Sequence, residues 1–247
     1  MAKAYKPVIV KKQVNDEHYY YVDGKFYPSV TRILSESLPT PFALRQWIGD
    51  MGNEKAQQKL ETAGAIGTAI HEACERLIKG KEINLTAEFP EKRQKKMLVG
   101  FVNWFAKYQP KIIKGMHPEL VLASSHGYAG TLDLPVTIDD KPYIVDIKTS
   151  RGVYDSHKLQ LAAYRQAFGE MFQMDTQIAV LHLNPLNQAG YTFYPQEKMT
   201  IEGNPVTTKD FLAVFEVYKV LNGGSVPEPP MEDEYPDVLR LEKLLME

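Results

Sequence analysis

The sequence predicts a single mixed domain of α-helices and β-strands, α/β or α+β in class, and three observations carry that prediction. Apolar residues recur at helical spacing up to about Tyr108, change to short β-branched runs from Leu120, and return to helical spacing near Asp155. No internal repeat and no clear linker divides the 247 residues, a length that suits one large domain or two small ones. The order of elements, helices then a strand meander, a helix and more strands, is that of a sheet covered by helices.

Each element has a local reason. His18–Tyr27 alternates around Asp23-Gly24, a strong hairpin signal. A short helix starts at Ser29 and stops at the Pro39–Pro41 break. Phe42–Met51 is helical, with Leu44, Trp47 and Ile48 on one side. Gly52-Asn53 interrupts it, and a long helix spans Glu54–Ile78 and ends at Lys79-Gly80. Glu91–Tyr108 forms another, with Met97, Leu98, Phe101, Trp104, Phe105 and Tyr108 as its apolar face and Pro110 beyond its end. Leu120–Ala123, Thr131–Ile138 and Pro142–Lys148 are strands bounded by turn residues. A helix over Asp155–Phe168, strands at Gln177–Leu183 and Tyr191–Tyr194, and a helix over Thr208–Leu221 stopped by Gly223-Gly224 complete the series. The acidic tail from Val226 is expected to be partly mobile or to dock as a short last helix. The chain thus divides into a hairpin and helices (1–66), a core (67–194) and a C-terminal helix with its tail (195–247).

Composition excludes several classes. An aromatic content of 11% with a net charge of −2 does not fit a disordered chain. The single cysteine, Cys74, excludes a disulfide framework, a Cys-rich zinc site and an iron–sulfur cluster held by cysteines of this chain. No apolar run approaches the ~20 residues of a membrane-spanning helix. The N-terminus lacks an apolar signal-peptide core, so a cytoplasmic, reducing environment is expected. Charge is uneven: seven basic residues and one acid lie between Glu91 and Lys114, while Glu228–Glu247 holds seven acids and two bases. The first run is either a phosphate-attracting face or an ordinary solvated helix face.

The turn at Asp139-Asp140 is the most informative feature. An even-length loop centred there pairs residues whose numbers sum to 279, so Ile138 faces Lys141, Asp133 faces Asp146 and Thr131 faces Lys148. Cross-strand neighbours on one face have Cβ atoms ~4.5–5.5 Å apart. Two carboxylates and an ammonium would then share one end of the hairpin, while Leu132, Leu134, Val136, Tyr143, Val145 and Ile147 point into a core. Carboxylates this close repel unless a cation sits between them. A hard divalent ion such as Mg²⁺ or Mn²⁺ suits these oxygens, with Lys148 orienting a water or holding a phosphate oxygen. The alternative is a surface ladder with Lys148 as a salt-bridge partner. Two further groups bear on the choice. Gly67, His71, Cys74 and Ile78 form one helical stripe, in which the imidazole needs a partner. Gln160 and Tyr164 share a helix face just after the hairpin.

Taken in order, Gly67-Thr68-Ala69-Ile70-His71, Gly130-Thr131-Leu132-Asp133, Val145-Asp146-Ile147-Lys148-Thr149-Ser150 and Gln160-Leu161-Ala162-Ala163-Tyr164 resemble the PD-(D/E)XK nucleases, and within them the RecB-like exonuclease branch. The segment Tyr27–Leu34 and the Trp47 region are similar to the part preceding this core in the mitochondrial genome maintenance exonucleases and their phage relatives. The likeness is strongest from Gly67 to Tyr164, about two-fifths of the chain. It implies a restriction-endonuclease-like core, a central mixed sheet flanked by helices, with an N-terminal helical extension. It implies His71, Asp133 and Asp146 as ligands of Mg²⁺ or Mn²⁺, the Ile147 carbonyl as a further ligand, and Lys148 as the catalytic lysine. Gln160 and Tyr164 would support the lysine or contact the strand, and Glu119 matches an acidic position. Leu132 stands where proline is common in this branch, and Asp146 where many members have glutamate. No cysteine cluster and no helicase motif is present.

The activity so implied is metal-dependent hydrolysis of DNA by an exonuclease preferring single strands or ends. It would serve recombination, repair or replication in a bacterial or phage-infected cell, with a helicase or single-strand-binding protein as partner. Thr149, Ser150 and Arg151 are phosphate contacts or ordinary turn residues. The helices before Gly80 and the Lys92–Lys114 region would wall a groove in which Tyr128 and Tyr154 stack on bases. The alternatives are a structure-specific endonuclease on the same core and a non-catalytic nucleic-acid-binding subunit.

Overall fold

A computed structural model describes residues 4–14 and 17–222; the acidic tail from Val226 lies outside the described residues. The chain opens with a three-stranded antiparallel sheet, β1 (Ile9–Val14), β2 (Glu17–Val22) and β3 (Lys25–Tyr27). Its second turn is Asp23-Gly24, with φ of 49° and 77°, the left-handed pair that matches the twist of a tight hairpin. Helices follow: α1 (Val30–Ser37), α2 (Phe42–Met51), α3 (Asn53–Ile78), the short α4 (Leu85–Glu88) and α5 (Lys92–Tyr108). Ser29 Oγ accepts the Arg32 N–H and caps α1. No residue of α2 is buried, so Leu44, Trp47 and Ile48 lie along α3 without entering a core.

The central sheet has the order β10-β9-β8-β7-β4. Its strands are β4 (Lys111–Ile112), then, beyond a separate ribbon of β5 (Leu120–Ser124) and β6 (Tyr128–Leu132), β7 (Leu134–Ile138) and β8 (Lys141–Lys148). After α6 (Asp155–Phe172) come β9 (Gln177–His182) and β10 (Thr192–Tyr194). A small hairpin, β11 (Thr200–Ile201) and β12 (Asn204–Pro205), leads to α7 (Thr208–Leu221). β8 and β9 are parallel and the other pairs antiparallel, so α6 is the crossover that parallel pairing requires. The β7–β8 hairpin pairs Leu134 with Val145 and Ile138 with Lys141, the expected register, across a turn where Asp139 and Asp140 both have positive φ.

The expected single strand over Thr131–Ile138 is two strands. It breaks at Asp133: β6 leaves the sheet to pair with β5, and β7 pairs with β8 and β4. Asp133 therefore has no strand pairing with Asp146, and Thr131 pairs with Val121, not Lys148. Leu132 turns into a different core from Leu134. Alternation along one face does not continue through Asp133, because the chain changes strand partner there.

The sheet is covered on both faces. Leu134, Val136, Val145, Ile147, Ala179 and Leu181 meet Ile70, Ala73 and Cys74 of α3 and Met97, Leu98, Phe101 and Trp104 of α5. On the other face Ile144, Ile178 and Val180 meet Leu161, Ala162, Ala163 and Phe168 of α6, backed by α1 and α7. The period-2 strand pattern thus feeds two cores, and the polar residues at the end of β8 fall on the α6 side.

A tight seam closes the first core. A Cβ at Gly100 of α5 would lie 2.3 Å from the Gly190 carbonyl oxygen, and Asn103 Nδ2 donates to the Ala189 carbonyl at 3.0 Å. Gly100→Ala should gain about 1 kcal/mol from helix propensity alone. Overpacking against backbone should outweigh this, giving a net loss of about 1–3 kcal/mol, read as a lower urea midpoint. A stabilised variant would contradict the close approach.

Candidate metal centre

The site forms where β7 stops. Its last pair with β8 is Leu134–Val145, so β8 runs on past its neighbour for three residues. The Asp133 side chain takes the place of the missing strand: Oδ2 accepts the Ile147 N–H at 2.6 Å. The Lys148 carbonyl is turned to β9, where it accepts the Leu183 N–H at 2.8 Å. Backbone groups of successive strand residues point to opposite edges, so the Ile147 carbonyl faces the gap beside Asp133.

Three elements bring acids and an imidazole to this gap. His71 reaches from α3, with Nδ1 3.6 Å from Asp133 Oδ2, an ion-pair distance too long for a good hydrogen bond. Glu119, just before β5, adopts a left-handed φ of 57° and donates its N–H to the Asp133 carbonyl at 3.0 Å. That conformation costs about 1–3 kcal/mol for a residue with a side chain. Ligand atoms of His71, Glu119 and Asp133 lie within 4.8 Å of one another, close enough to hold a metal ion; Asp146, expected among the ligands, is not in this group, and Glu119 is.

Asp146 and Lys148 project from β8 toward α6. Lys148 Nζ lies 2.9 Å from Asp146 Oδ2 and donates to Gln160 Oε1 at 2.9 Å. Gln160 Nε2 in turn donates to the Tyr164 hydroxyl at 3.0 Å. Asp146 Oδ2 is buried and makes no aligned hydrogen bond, despite its nearness to the ammonium. Gly130 supplies the space for Tyr164, since a Cβ there would lie 2.5 Å from the ring. Gly67 does the same for α3, which passes Thr149 Oγ1 at 3.1 Å from where a Cβ would stand.

The electrostatics follow from burial and crowding. Burial pushes Asp146 up to about 6, with Asp133 adding to the shift and Lys148 opposing it. Burial and the Asp133 charge push Glu119 up to about 7. Burial would also raise Asp133, but His71, Lys148 and the Ile147 N–H outweigh it and hold that carboxyl below its usual range. Burial works against a charged His71, yet the Asp133 charge prevails and its imidazole is raised. The residues suit a hard cation: clustered carboxylates, a nitrogen donor and an open carbonyl.

Thr149 and Arg151 follow β8 in the loop before α6, and Ser150 Oγ is used locally, donating to the Gly152 carbonyl. Tyr128 does not stack on a ligand: it is fully buried, its hydroxyl donating to the Ala163 carbonyl, because β6 turns it into the α6–α7 core. Tyr154 is exposed. On α5, Lys92, Arg93 and Lys107 are exposed, whereas Lys96 Nζ donates to the Gln188 carbonyl. Sequence reasoning missed Tyr20, whose hydroxyl shares a 2.9 Å hydrogen bond with Thr131 Oγ1 and lies near Glu119. Nothing in the run of tyrosines at 19–21 marks the middle one. Two surface grooves, one between α6 and the start of α7 and one between α2 and α3, contain none of these residues.

The chain is thus a mixed α/β protein whose His71, Glu119 and Asp133 could hold a metal ion. No helix among the described residues is long and apolar enough to cross a membrane. No family model matches the chain, and no curated protein matches it. Among solved structures, the crystal structure of SSO0001 is similar over 81% of this chain and 87% of that one, at 14% identity and a TM-score of 0.36. Likeness at that level says nothing about activity.

Protons held by native Glu119 and Asp146, which the unfolded chain releases nearer pH 4, stabilise the metal-free protein at low pH. That stability is lost as pH rises through about 6 to 7. His71, also raised, acts in the same sense, while the depressed Asp133 contributes only above its unfolded value. The melting temperature in EDTA should therefore fall from about pH 5 to about pH 8, and Mn²⁺ should restore it most at the higher pH. A pH-independent melt that does not respond to the ion would contradict this electrostatic account.

Proposed function

We propose that this protein is a metal-dependent DNA exonuclease of the PD-(D/E)XK type, with a restriction-endonuclease-like core. The observation that carries the reading is the cluster of His71, Glu119 and Asp133 beside the open end of β8, with Asp146 and Lys148 paired on that same strand end. The four motifs that resemble the family come from separate stretches of sequence, and their polar groups are linked from His71 to Tyr164 by contacts already described.

His71, Asp133 and Glu119, with Asp146 and the Ile147 carbonyl beside them, would hold Mg²⁺ or Mn²⁺. When bound, such an ion polarises a phosphoryl oxygen, lowers the pKa of a water and offsets charge on the leaving oxygen. The chain's own residues do the rest. Lys148 places an ammonium beside the carboxylates, where it orients the attacking water and offsets charge building on the phosphate. Gln160 fixes the lysine by accepting one of its protons in a hydrogen bond, and Tyr164 accepts from Gln160 and fixes it in turn. Asp133 keeps β8 in place through Ile147 while remaining ionised. Hydrolysis at a strand end, in recombination, repair or replication, follows from the family likeness. So do a helicase or single-strand-binding partner and the cytoplasm of a bacterial or phage-infected cell.

End-labelled single- and double-stranded oligonucleotides incubated with Mn²⁺ test the reading. Wild type should shorten them and EDTA should stop it. Lys148→Ala and Asp146→Ala should each lower the rate by about a thousandfold or more while keeping the wild-type circular dichroism spectrum. A variant that digests DNA at the wild-type rate removes the site. Circular single-stranded DNA should survive; its cleavage would make the protein an endonuclease. Binding without turnover would make it a non-catalytic subunit.

A further inference from the structure

One face of α6 runs from the carboxylate cluster out to solvent. Tyr164, Gln160, His157 and Tyr154 follow at spacings of four, three and three residues, so they share that face. Their exposure rises in the same order: Tyr164 and Gln160 are buried, His157 is half-buried and Tyr154 is 47% exposed. The inner pair fixes Lys148. The outer pair has no part in that network, yet it is built: the two rings meet edge to face at 5.3 Å, and the Tyr154 N–H donates to His157 Nδ1 at 3.2 Å.

That hydrogen bond decides the tautomer. Nδ1 accepts, so the proton of the neutral ring is on Nε2, and Nε2 meets no acceptor among the described residues. Burial and the charges of Lys148, His182 and Lys158 push His157 down to about 3, so it stays a neutral N–H donor across the working pH range. Lys158 is itself occupied, donating to Asp155 and to the Thr200 carbonyl. A fixed N–H donor next to Lys148, with an exposed aromatic ring outside it, is the pairing that single-stranded nucleic acid uses: an acceptor phosphate and a stacking base.

We infer that Tyr154 and His157 bind the nucleic-acid strand at the mouth of the site, Tyr154 by stacking on a base and His157 by donating Nε2–H to a phosphate oxygen. The inference rests on the nuclease reading for its substrate class, but binding tests it apart from cleavage. These are binding residues, separate from the acids and lysine.

The competing role for His157 is a helix cap alone, and a pair of substitutions separates the two. Glutamine and glutamate at the third helical position both accept the N-cap N–H, so His157→Gln and His157→Glu should both fold and melt near wild type. Only glutamine keeps a donor; glutamate sets a carboxylate against the phosphate. Affinity for a fluorescein-labelled oligothymidylate, read by anisotropy in EDTA, should be kept within a few-fold in His157→Gln. It should fall about tenfold or more in His157→Glu and about tenfold in Tyr154→Ala. In Mn²⁺ the same losses should fall on KM with little change in kcat. Equal affinity of His157→Glu and wild type, or no loss in Tyr154→Ala, overturns the inference, as does a wild type that does not bind the strand. A wild type that binds in this order of variants but never cleaves keeps the inference and removes the nuclease reading.

Discussion

The hydrogen bond from the Ile147 N–H to Asp133 Oδ2 is the contact on which the rest of the site depends. At Asp133 the chain leaves one strand partner for another, and β8 loses its neighbour on that side. A buried strand edge with unpaired backbone groups is costly. A carboxylate repairs the N–H but offers nothing to the carbonyl. The result is a charged side chain, an open carbonyl and a gap at one point, made by the departure of β6. Glu119 and His71 are drawn to the same point, Glu119 through its backbone bond to Asp133 and His71 through the charge.

The gap has consequences for charge. Two acids and one imidazole, Glu119, Asp133 and His71, crowd the gap, and Lys148 lies beside Asp146 at the same strand end. Lys148 does not fully offset the burial of Asp146, and the raised carboxyls of Asp146 and Glu119 follow from burial first, with the Asp133 charge adding to it. Such an arrangement is poor as a stability device, because buried like charges oppose folding. It makes physical sense as a receptor for a cation, and the strained backbone of Glu119 belongs to the same reasoning: strain persists where surrounding structure over-determines it.

Much of this was legible in the residues. Period-2 alternation and the Asp139-Asp140 turn gave the β7–β8 register, and helix periodicity located α3, α5, α6 and α7 to within a few residues. The strand break at Asp133 was not legible, because Thr131–Ile138 alternates without a turn residue and only tertiary pairing divides it. Leu132 therefore packs in the core on the α6 side while Leu134 packs in the core under α3 and α5. Tyr128 looked available as a tyrosine near glycines, but β6 faces it inward. Glu119 was placed among the acids by resemblance, while its left-handed φ, which aims it at Asp133, has no sequence mark. β1, which completes the N-terminal sheet that carries Tyr20, is too rich in lysine to read as a buried strand.

The central claim is that the gap beside β8 binds a divalent ion through groups that the strand break collects. Crystals grown with Mn²⁺ and measured at the manganese absorption edge test it directly. An anomalous peak bonded to His71, Asp133 and Glu119, within reach of Asp146 and the Ile147 carbonyl, is the predicted result. A well-ordered site with no peak there, or manganese bound only elsewhere on the surface, would contradict it.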